Sequence, residues 1–389
     1  MKKITAILAS WLILAMAGAS ANDGVFYAQG NQLIPITESE ITVQKEILTL
    51  NSDGAYVEVI VYYEFFNPTG KTKTLLVGFE AAAPYPYEGI GHFPEQPNIH
   101  DFKVIMNGKD LPFKVAHVEN ELMVYDKLTA PVPPYYINGV VKDWTRNQCL
   151  DAIKKNNEFD FPFDYVYHFN AEFKPGVNTV KHTYRYRISE SVDMEWTFPY
   201  VLTAACRWAN RQIDDFTLNV NMGDRESFFI TTSFFKSVKE WTVKGVGKSI
   251  DGEAPYGEPA AIFHMREGGI SFHKKNFCPD GELLVYKPRA IWGIWNDDGV
   301  IFGEDVIETN RSMYIDWSLL LGDQTLSFSD KEKRIMKNLP FAKRGYVFKS
   351  KDLQDYFEST EWYIPDPAYV ADMTKFPASE QNWVQFWMK

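Results

Sequence analysis

Apolar positions along the chain follow two periods. From Phe26 to about Leu326 they recur mostly at every second residue, as half-buried strands require. From Ser329 onward they recur every third or fourth residue, as on a helix face. In the first stretch, ITVQKEILTL (41–50) and AYVEVIVYYEFF (55–66) are rich in β-branched and aromatic residues, and Asn51-Ser52-Asp53-Gly54 supplies the turn between them. In the second of these strands Tyr56, Glu58, Ile60 and Tyr62 alternate with Val57, Val59, Val61 and Tyr63. Both faces are fairly apolar, which predicts a central strand with its outer face covered. Asn67-Pro68-Thr69-Gly70 turns the chain into a strand over 73–80, and DFKVIMNGKDLPFKVA (101–116) predicts a hairpin on Asn107-Gly108. The strand pattern continues over 226–325, with Asp251-Gly252, Gly268-Gly269 and Asp280-Gly281 expected as turns.

Two segments break the alternation. Residues 81–100 contain PYPYEGIGHFPEQP and predict a loop. Residues 131–163 hold Pro131, Pro133 and Pro134, then a helical stretch, RNQCLDAIKKNNEF. Loops of such length inside a compact domain are often functional. The alternative is an ordered excursion packed by its own tyrosines.

The helical stretch has its own punctuation. Ser329 and Glu332 make a capping box, and Ile335, Met336 and Leu339 share a face. Gly345 closes the helix as a left-handed residue, with Tyr346 folding back on Phe341. Pro340 is expected to kink or split this helix. Ser350 opens a second helix with Leu353, Tyr356 and Phe357 on one face, and Trp362, Tyr363 and Pro365 end it. Trp383, Phe386 and Trp387 give a last helix one apolar face, expected to pack on the Leu353/Phe357 helix.

These residues resemble the YARHG domain of exported bacterial proteins. Its signature pentapeptide stands here as Phe341-Ala342-Lys343-Arg344-Gly345, followed by Tyr346 and, further on, Trp362-Tyr363. Residues 22–290 resemble the strand order of vault- and inter-alpha-trypsin-type β-sandwiches. They resemble more closely an uncharacterised N-terminal domain of exported bacterial proteins. The shared features are Phe65-Phe66-Asn67-Pro68, the Asn107-Gly108 hairpin, residues 182–220 and Asn276-Phe277-Cys278-Pro279. The fold class expected is mainly β, a β-sandwich-like region, followed by a small C-terminal α-helical domain. The expected organisation is a leader over 1–21, a β-sandwich-rich domain of unknown function over 22–325 and a helical YARHG-like domain over 326–389. A subdivision near 222 is an option, and the boundary is expected between Gly322 and Ser329.

Composition narrows where such a chain works. Lys2 and Lys3 precede an apolar run from Ile4 to Ala17, and Ala19-Ser20-Ala21 suits cleavage before Asn22. The run is shorter than the roughly 20 residues that a membrane span needs. A secretory leader and a periplasmic or secreted protein are the expectation. The formal charge of −11 becomes −13 once Lys2 and Lys3 are removed. That balance makes the protein a poor prospect for nucleic acid or anionic lipid, since both need clustered cations, and no nucleic-acid partner is expected. Three cysteines, Cys149, Cys206 and Cys278, permit one disulfide and one leftover thiol, or three buried thiols. Cys149 with Cys206 is the expected pair, both lying in the first β region and its insert.

Reactive motifs are sparse. Gly245-Val246-Gly247-Lys248-Ser249 suggests a phosphate loop, but Thr242 stands where the leading glycine belongs, so no nucleotide cofactor is expected. His92 and His100, beside Glu88, Glu95 and Asp101, are the metal candidates, and a weak set. Trp295-Asn296-Asp297-Asp298-Gly299 lacks the alternating acids of a calcium loop and reads as a turn. Cys206 has Arg207 beside it, yet Ala204, Ala205 and Trp208 suit a buried structural residue. There is no Gly-x-Ser-x-Gly elbow. The reading is an exported non-catalytic binding or envelope-structural protein that engages a protein or cell-wall polymer. The alternative is an envelope-acting hydrolase with its site in the 81–100 and 131–163 loops.

Overall fold

The computed structural model describes residues 33–35, 40–81, 96, 98–119, 136–137, 140–155, 163–188, 194–253, 257–288, 294–296, 299–301 and 329–388. The leader, His92, Glu95 and the 322–328 boundary lie outside these residues. The protein is mainly β with a small helical domain at its C-terminus.

The strands are β1 (Leu33–Pro35), β2 (Thr42–Asp53), β3 (Tyr56–Asn67), β4 (Lys73–Ala81), β5 (Ile99–Met106), β6 (Lys109–Asp110), β7 (Lys114–Glu119), β8 (Tyr136–Ile137) and β9 (Val140–Val141). After helix α1 (Arg146–Lys155) come β10 (Phe163–Phe173), β11 (Gly176–Arg187), β12 (Met194–Tyr200), β13 (Ile213–Asn221), β14 (Glu226–Thr231), β15 (Trp241–Glu253), β16 (Pro259–Phe277) and β17 (Leu283–Pro288). Strands β18 (Ile294–Asn296) and β19 (Gly299–Ile301) pair antiparallel, with Asn296 opposite Gly299. Helices α2 (Asp330–Lys343), α3 (Lys351–Ser359) and α4 (Ala378–Phe386) end it.

An 11-stranded sheet runs β12-β17-β14-β16-β13-β2-β3-β11-β5-β6, with β15 also paired to β16. A 4-stranded sheet runs β1-β4-β10-β7. The large sheet bends at β16. The first half of that strand pairs with β14 and the second half with β13, while β15 follows it along most of its length. Glycine makes this corner. A Cβ on Gly268 would lie 2.2 Å from the Lys244 carbonyl oxygen, and one on Gly245 would lie 2.3 Å from that of Glu267. Both have positive φ, and a bulge falls beside them between Val246 and Gly247. Gly268-Gly269 and Asp251-Gly252 are therefore not turns. Both pairs lie inside long strands, because a sheet corner and a reverse turn ask for the same residue. The expected phosphate-loop look-alike is the same ribbon.

Aromatic side chains close the two layers. Phe79 of β4 packs on Tyr184 of β11 (ring centroids 5.3 Å apart), Phe102 on Tyr167 (4.7 Å) and Phe65 on Phe173 (5.5 Å). Phe198 of β12 meets Tyr186 of β11 at 5.3 Å, so the far strands of the bent sheet also return over its centre. The β2–β3 hairpin and the Asn107-Gly108 turn form as expected, the latter with both residues at positive φ. Strand β3 is central, between β2 and β11, but only its Val57–Phe65 face is buried, while Glu58 on the other is exposed. The tyrosines there are half-covered rims.

The expected Cys149–Cys206 pair does not form. All three are free thiols, and Cys206 Sγ lies 3.7 Å from Cys278, not beside Cys149. Cys149 is buried on α1, where burial, reinforced by Asp143, pushes its thiol up to about 11. An insert contiguous in sequence with the first β region folded away from Cys206.

His182 sits in the core among Tyr63, Phe79 and Phe102, with neither ring nitrogen hydrogen-bonded to protein. Burial pushes its pKa down to about 3. The folded state therefore holds it neutral while the unfolded chain protonates it near pH 6.5, and its stabilising contribution is lost as pH falls from 6.5 toward 3. At pH 5 the loss is about 2 kcal/mol relative to pH 7.5. His182→Phe should remove that share, so denaturant unfolding of the variant is expected to be less acid-sensitive by this amount. Equal acid sensitivity would contradict the burial.

Candidate functional site

The register places the roots of both long loops at one end of the small sheet. Tyr165 of β10 pairs with Ala81, where the 81–100 loop leaves β4, and Phe163 pairs with Glu119, where the chain leaves β7 toward the insert. The Phe65–Phe173 contact marks the opposite end of the sandwich. The loop end of the large sheet is therefore the end bearing Asp53, Tyr56, His100, Asp101 and Arg185.

These five residues form a cluster. Between Thr183 and Arg185 the β5–β11 register slips, with Asp101 and Phe102 opposing Tyr184 alone. Asp101 takes a left-handed φ of 55° at this bulge, a conformation that aspartate tolerates better than most residues. The Arg185 guanidinium lies 3.1 Å from Asp53, 3.7 Å from Asp101 and 4.2 Å from the centroid of the Tyr56 ring. His100 packs edge-on to Tyr56 at 5.4 Å with its Nε2 buried. Of the metal candidates, then, His100 and Asp101 are brought together around Arg185 and Tyr56. Among the described residues no group of three or more His, Cys, Asp or Glu could hold a metal ion. Arg185 and Tyr56 carried no signal in the sequence, since a bulge pairing residues 85 positions apart leaves no local pattern.

The loop roots are pinned. Gln96 Oε1 accepts from the Asn98 and Ile99 amides at 2.5 and 2.8 Å, fixing the return of the proline-rich segment. In the insert, helix α1 covers most of the helical stretch, opened by reciprocal Thr145–Gln148 bonds. The Trp144 amide donates to His117 O (2.7 Å), and the His117 amide donates to Asp143 Oδ1 (2.9 Å).

A second constellation looks catalytic and is not placed to be. Ser227 Oγ and His264 Nδ1 are 2.9 Å apart, a nucleophile–base distance. Both are 4% exposed, facing each other across β14 and β16. Burial, aided by Lys248, pushes the imidazole down to about 4. It is a satisfied polar pair within the sheet.

The signature pentapeptide is used inside the fold. Ser329 and Glu332 form the capping box, and α2 ends with Gly345 at φ 82°. The Tyr346 amide donates to Phe341 O (3.1 Å) and the Gly345 amide to Ala342 O (2.8 Å), a Schellman arrangement, with the Phe341 and Tyr346 rings 6.2 Å apart. Arg344 donates to Glu380 Oε2 at 2.6 Å and to Pro340 O at 2.9 Å, its guanidinium 4.0 Å from the Phe376 ring centroid. Ala342, Trp362 and Tyr363 are buried, and the Tyr363 hydroxyl donates to Tyr346 O at 2.8 Å. Lys343 is half-buried. Desolvation pulls its ammonium down to about 8 despite Glu380 and Glu195. The domain touches the sheet through Arg266, which donates to Pro365 O at 2.9 Å.

Three details differ from expectation. Ser350 precedes α3 without capping it, because its hydroxyl donates to Asp352 and accepts from Arg334. Helix α2 runs unbroken through Pro340. Helix α4 packs against α2, through Trp383 and Met336, rather than chiefly against the Leu353/Phe357 helix.

Among the described residues no helix is long and apolar enough to cross a membrane. No curated protein matches the chain. A solved structure from Legionella pneumophila subsp. pneumophila str. Philadelphia 1, named a "putative nutrient binding protein", is similar at 18% identity, covering 94% of this chain and 99% of that one with a TM-score of 0.51. That likeness is one of fold. Residues 316–389, the C-terminal segment that holds the three helices, match the family model of the YARHG domain.

Proposed function

We propose that the chain is an exported binding protein that engages an envelope protein or cell-wall polymer through the loop end of its sandwich, without turning it over. The observation that carries this reading is that the strand ends from which both long loops leave lie at one end of the sandwich, the end that also bears the Arg185–Tyr56 cluster. Loops held at one end of a rigid sandwich are a common recognition surface. An arginine stacked on tyrosine is the side-chain pairing that binding hot spots favour. The fold likeness to a protein named for nutrient binding, and the residence of YARHG domains in exported proteins, support the same reading. The leader over 1–21 completes it. Protein recovered from the periplasmic or extracellular fraction should have the mass of a chain beginning at Asn22.

Binding is tested by co-sedimentation with purified sacculi and by affinity capture from an envelope-protein extract. Arg185→Ala and Tyr56→Ala should each weaken retention about 10-fold or more, the effect of losing a hot-spot side chain. Asp101→Gly should weaken it while leaving Tm no lower, since glycine relieves the left-handed backbone. Retention unchanged in all three variants would place the binding surface elsewhere.

One observation favours a hydrolase as the second reading. Asp53 and Asp101 are two exposed carboxylates at the loop roots, the residue type that acid–base hydrolysis uses in pairs. Both are engaged by one guanidinium, which suits a fixed recognition surface better than proton transfer.

A further inference from the structure

Two turns at the β12–β13 and β16–β17 connections are held together by more than packing. The Glu282 carboxylate accepts from the Leu202 and Thr203 amides at 2.6 and 3.1 Å and from the Thr203 hydroxyl. Ser233 donates to the carbonyl of the same glutamate. Gly281 lets this happen, since a Cβ there would lie 2.4 Å from Ser233 O. On the other side Asn276, at a left-handed φ of 49°, swings the chain out of β16 so that Cys278 faces the 3-10 turn Thr203–Arg207. Cys206 Sγ and Cys278 Sγ are left 3.7 Å apart, in van der Waals contact. Cys278 is exposed, and Cys206 is half-buried beneath it.

We infer that Cys206 and Cys278 are a disulfide-forming pair that staples these two turns, with Cys278 as the entry thiol and Cys206 as the resolving one. Access decides the order. The exposed Cys278 thiolate attacks one sulfur of a disulfide-bearing oxidant, forming a mixed disulfide and expelling one thiolate. Cys206 then loses its proton and attacks Cys278 Sγ, and the second thiolate of the oxidant leaves. The balance is two protein thiols oxidised to one disulfide and one oxidant disulfide reduced to two thiols. Closing the sulfurs to bonding distance asks about 1.7 Å of movement, within reach of side-chain rotation at an exposed turn. The bond would close a loop across 72 positions. A staple of that length chiefly restricts the unfolded chain. Burial, with Cys278 beside it, keeps the Cys206 thiol up at about 12, so free Cys206 is a slow nucleophile on its own. Cys149, buried in the insert, takes no part.

The test needs only the purified, fully reduced full-length protein and oxidised glutathione. Expected are an intact mass lower by two hydrogens, one remaining thiol under denaturing conditions, and a proteolytic fragment pair joined through Cys206 and Cys278. Tm should rise by several degrees and fall back on reduction. Cys206→Ser should instead accumulate a stable glutathione adduct on Cys278, and Cys278→Ser should react far more slowly. A persistent glutathione adduct on wild-type Cys278, three thiols remaining, or a cross-link involving Cys149 would each overturn the assignment. The outcome does not depend on whether the loop end binds a ligand.

Discussion

Gly345→Val is expected to destabilise the YARHG domain by about 3 kcal/mol, from left-handed strain and overpacking together. Gly345 holds φ at 82°, and a Cβ there would lie 2.7 Å from Ile364 O and 2.9 Å from the Asp366 backbone nitrogen. The neighbours are backbone, which cannot rotate aside. The Asp366 amide also donates to Gly345 O at 2.7 Å, so the contact that forbids the side chain ties the segment after Trp362-Tyr363 to the end of α2. Denaturant unfolding measures the effect, with Gly345→Ala smaller and in the same direction. A loss below about 1 kcal/mol for valine would mean that the helix end relaxes, and the cap would not be what the signature glycine is for.

Trp383→Ala is expected to cost about 4 kcal/mol, as deletion of a buried tryptophan does. Part of that cost has a specific source. Pro340 lies inside α2 and has no amide proton, so Met336 O, four residues earlier, loses its helical donor. The Trp383 indole N–H supplies the missing bond at 2.6 Å, in the buried core. This explains how α2 runs on through the proline. Trp383→Phe keeps most of the ring and removes the donor, and should cost about 2 kcal/mol for a buried carbonyl left unsatisfied. Restoring a backbone donor with Pro340→Ala should shrink that cost by about 1 kcal/mol, a coupling that a double-mutant cycle reads directly. Additive effects would show that the indole bond and the proline are unrelated.

What could be read from the sequence follows from how local each cause is. The capping box at Ser329, the Gly345 cap, the Asn107-Gly108 turn and the β2–β3 hairpin are each decided within a few residues, and all form. The Pro340 kink is a local expectation overridden by Trp383, whose indole bonds Met336 O from 47 positions away. Gly268-Gly269 reads as a turn because nothing local distinguishes a reversal from a bend inside one long strand. The cysteine pairing fails for the same reason, since proximity along the chain says little about which turns meet at one end of a sandwich. The loop-end cluster is the extreme case. His100 and Asp101 stand out among polar loop residues, but Arg185 and Tyr56, which organise them, lie inside strands that read as ordinary sheet.

The claim that the loop end binds and does not catalyse meets its most direct test in a single incubation of the purified protein with peptidoglycan fragments and with peptides. Mass spectrometry follows the substrates while retention of protein on sacculi is measured in parallel. The account predicts saturable retention that Arg185→Ala weakens about 10-fold or more, with every fragment and peptide recovered intact. Turnover of either substrate, lost in Asp53→Asn, Asp101→Asn or His100→Ala, would contradict it and assign the loop end to hydrolysis.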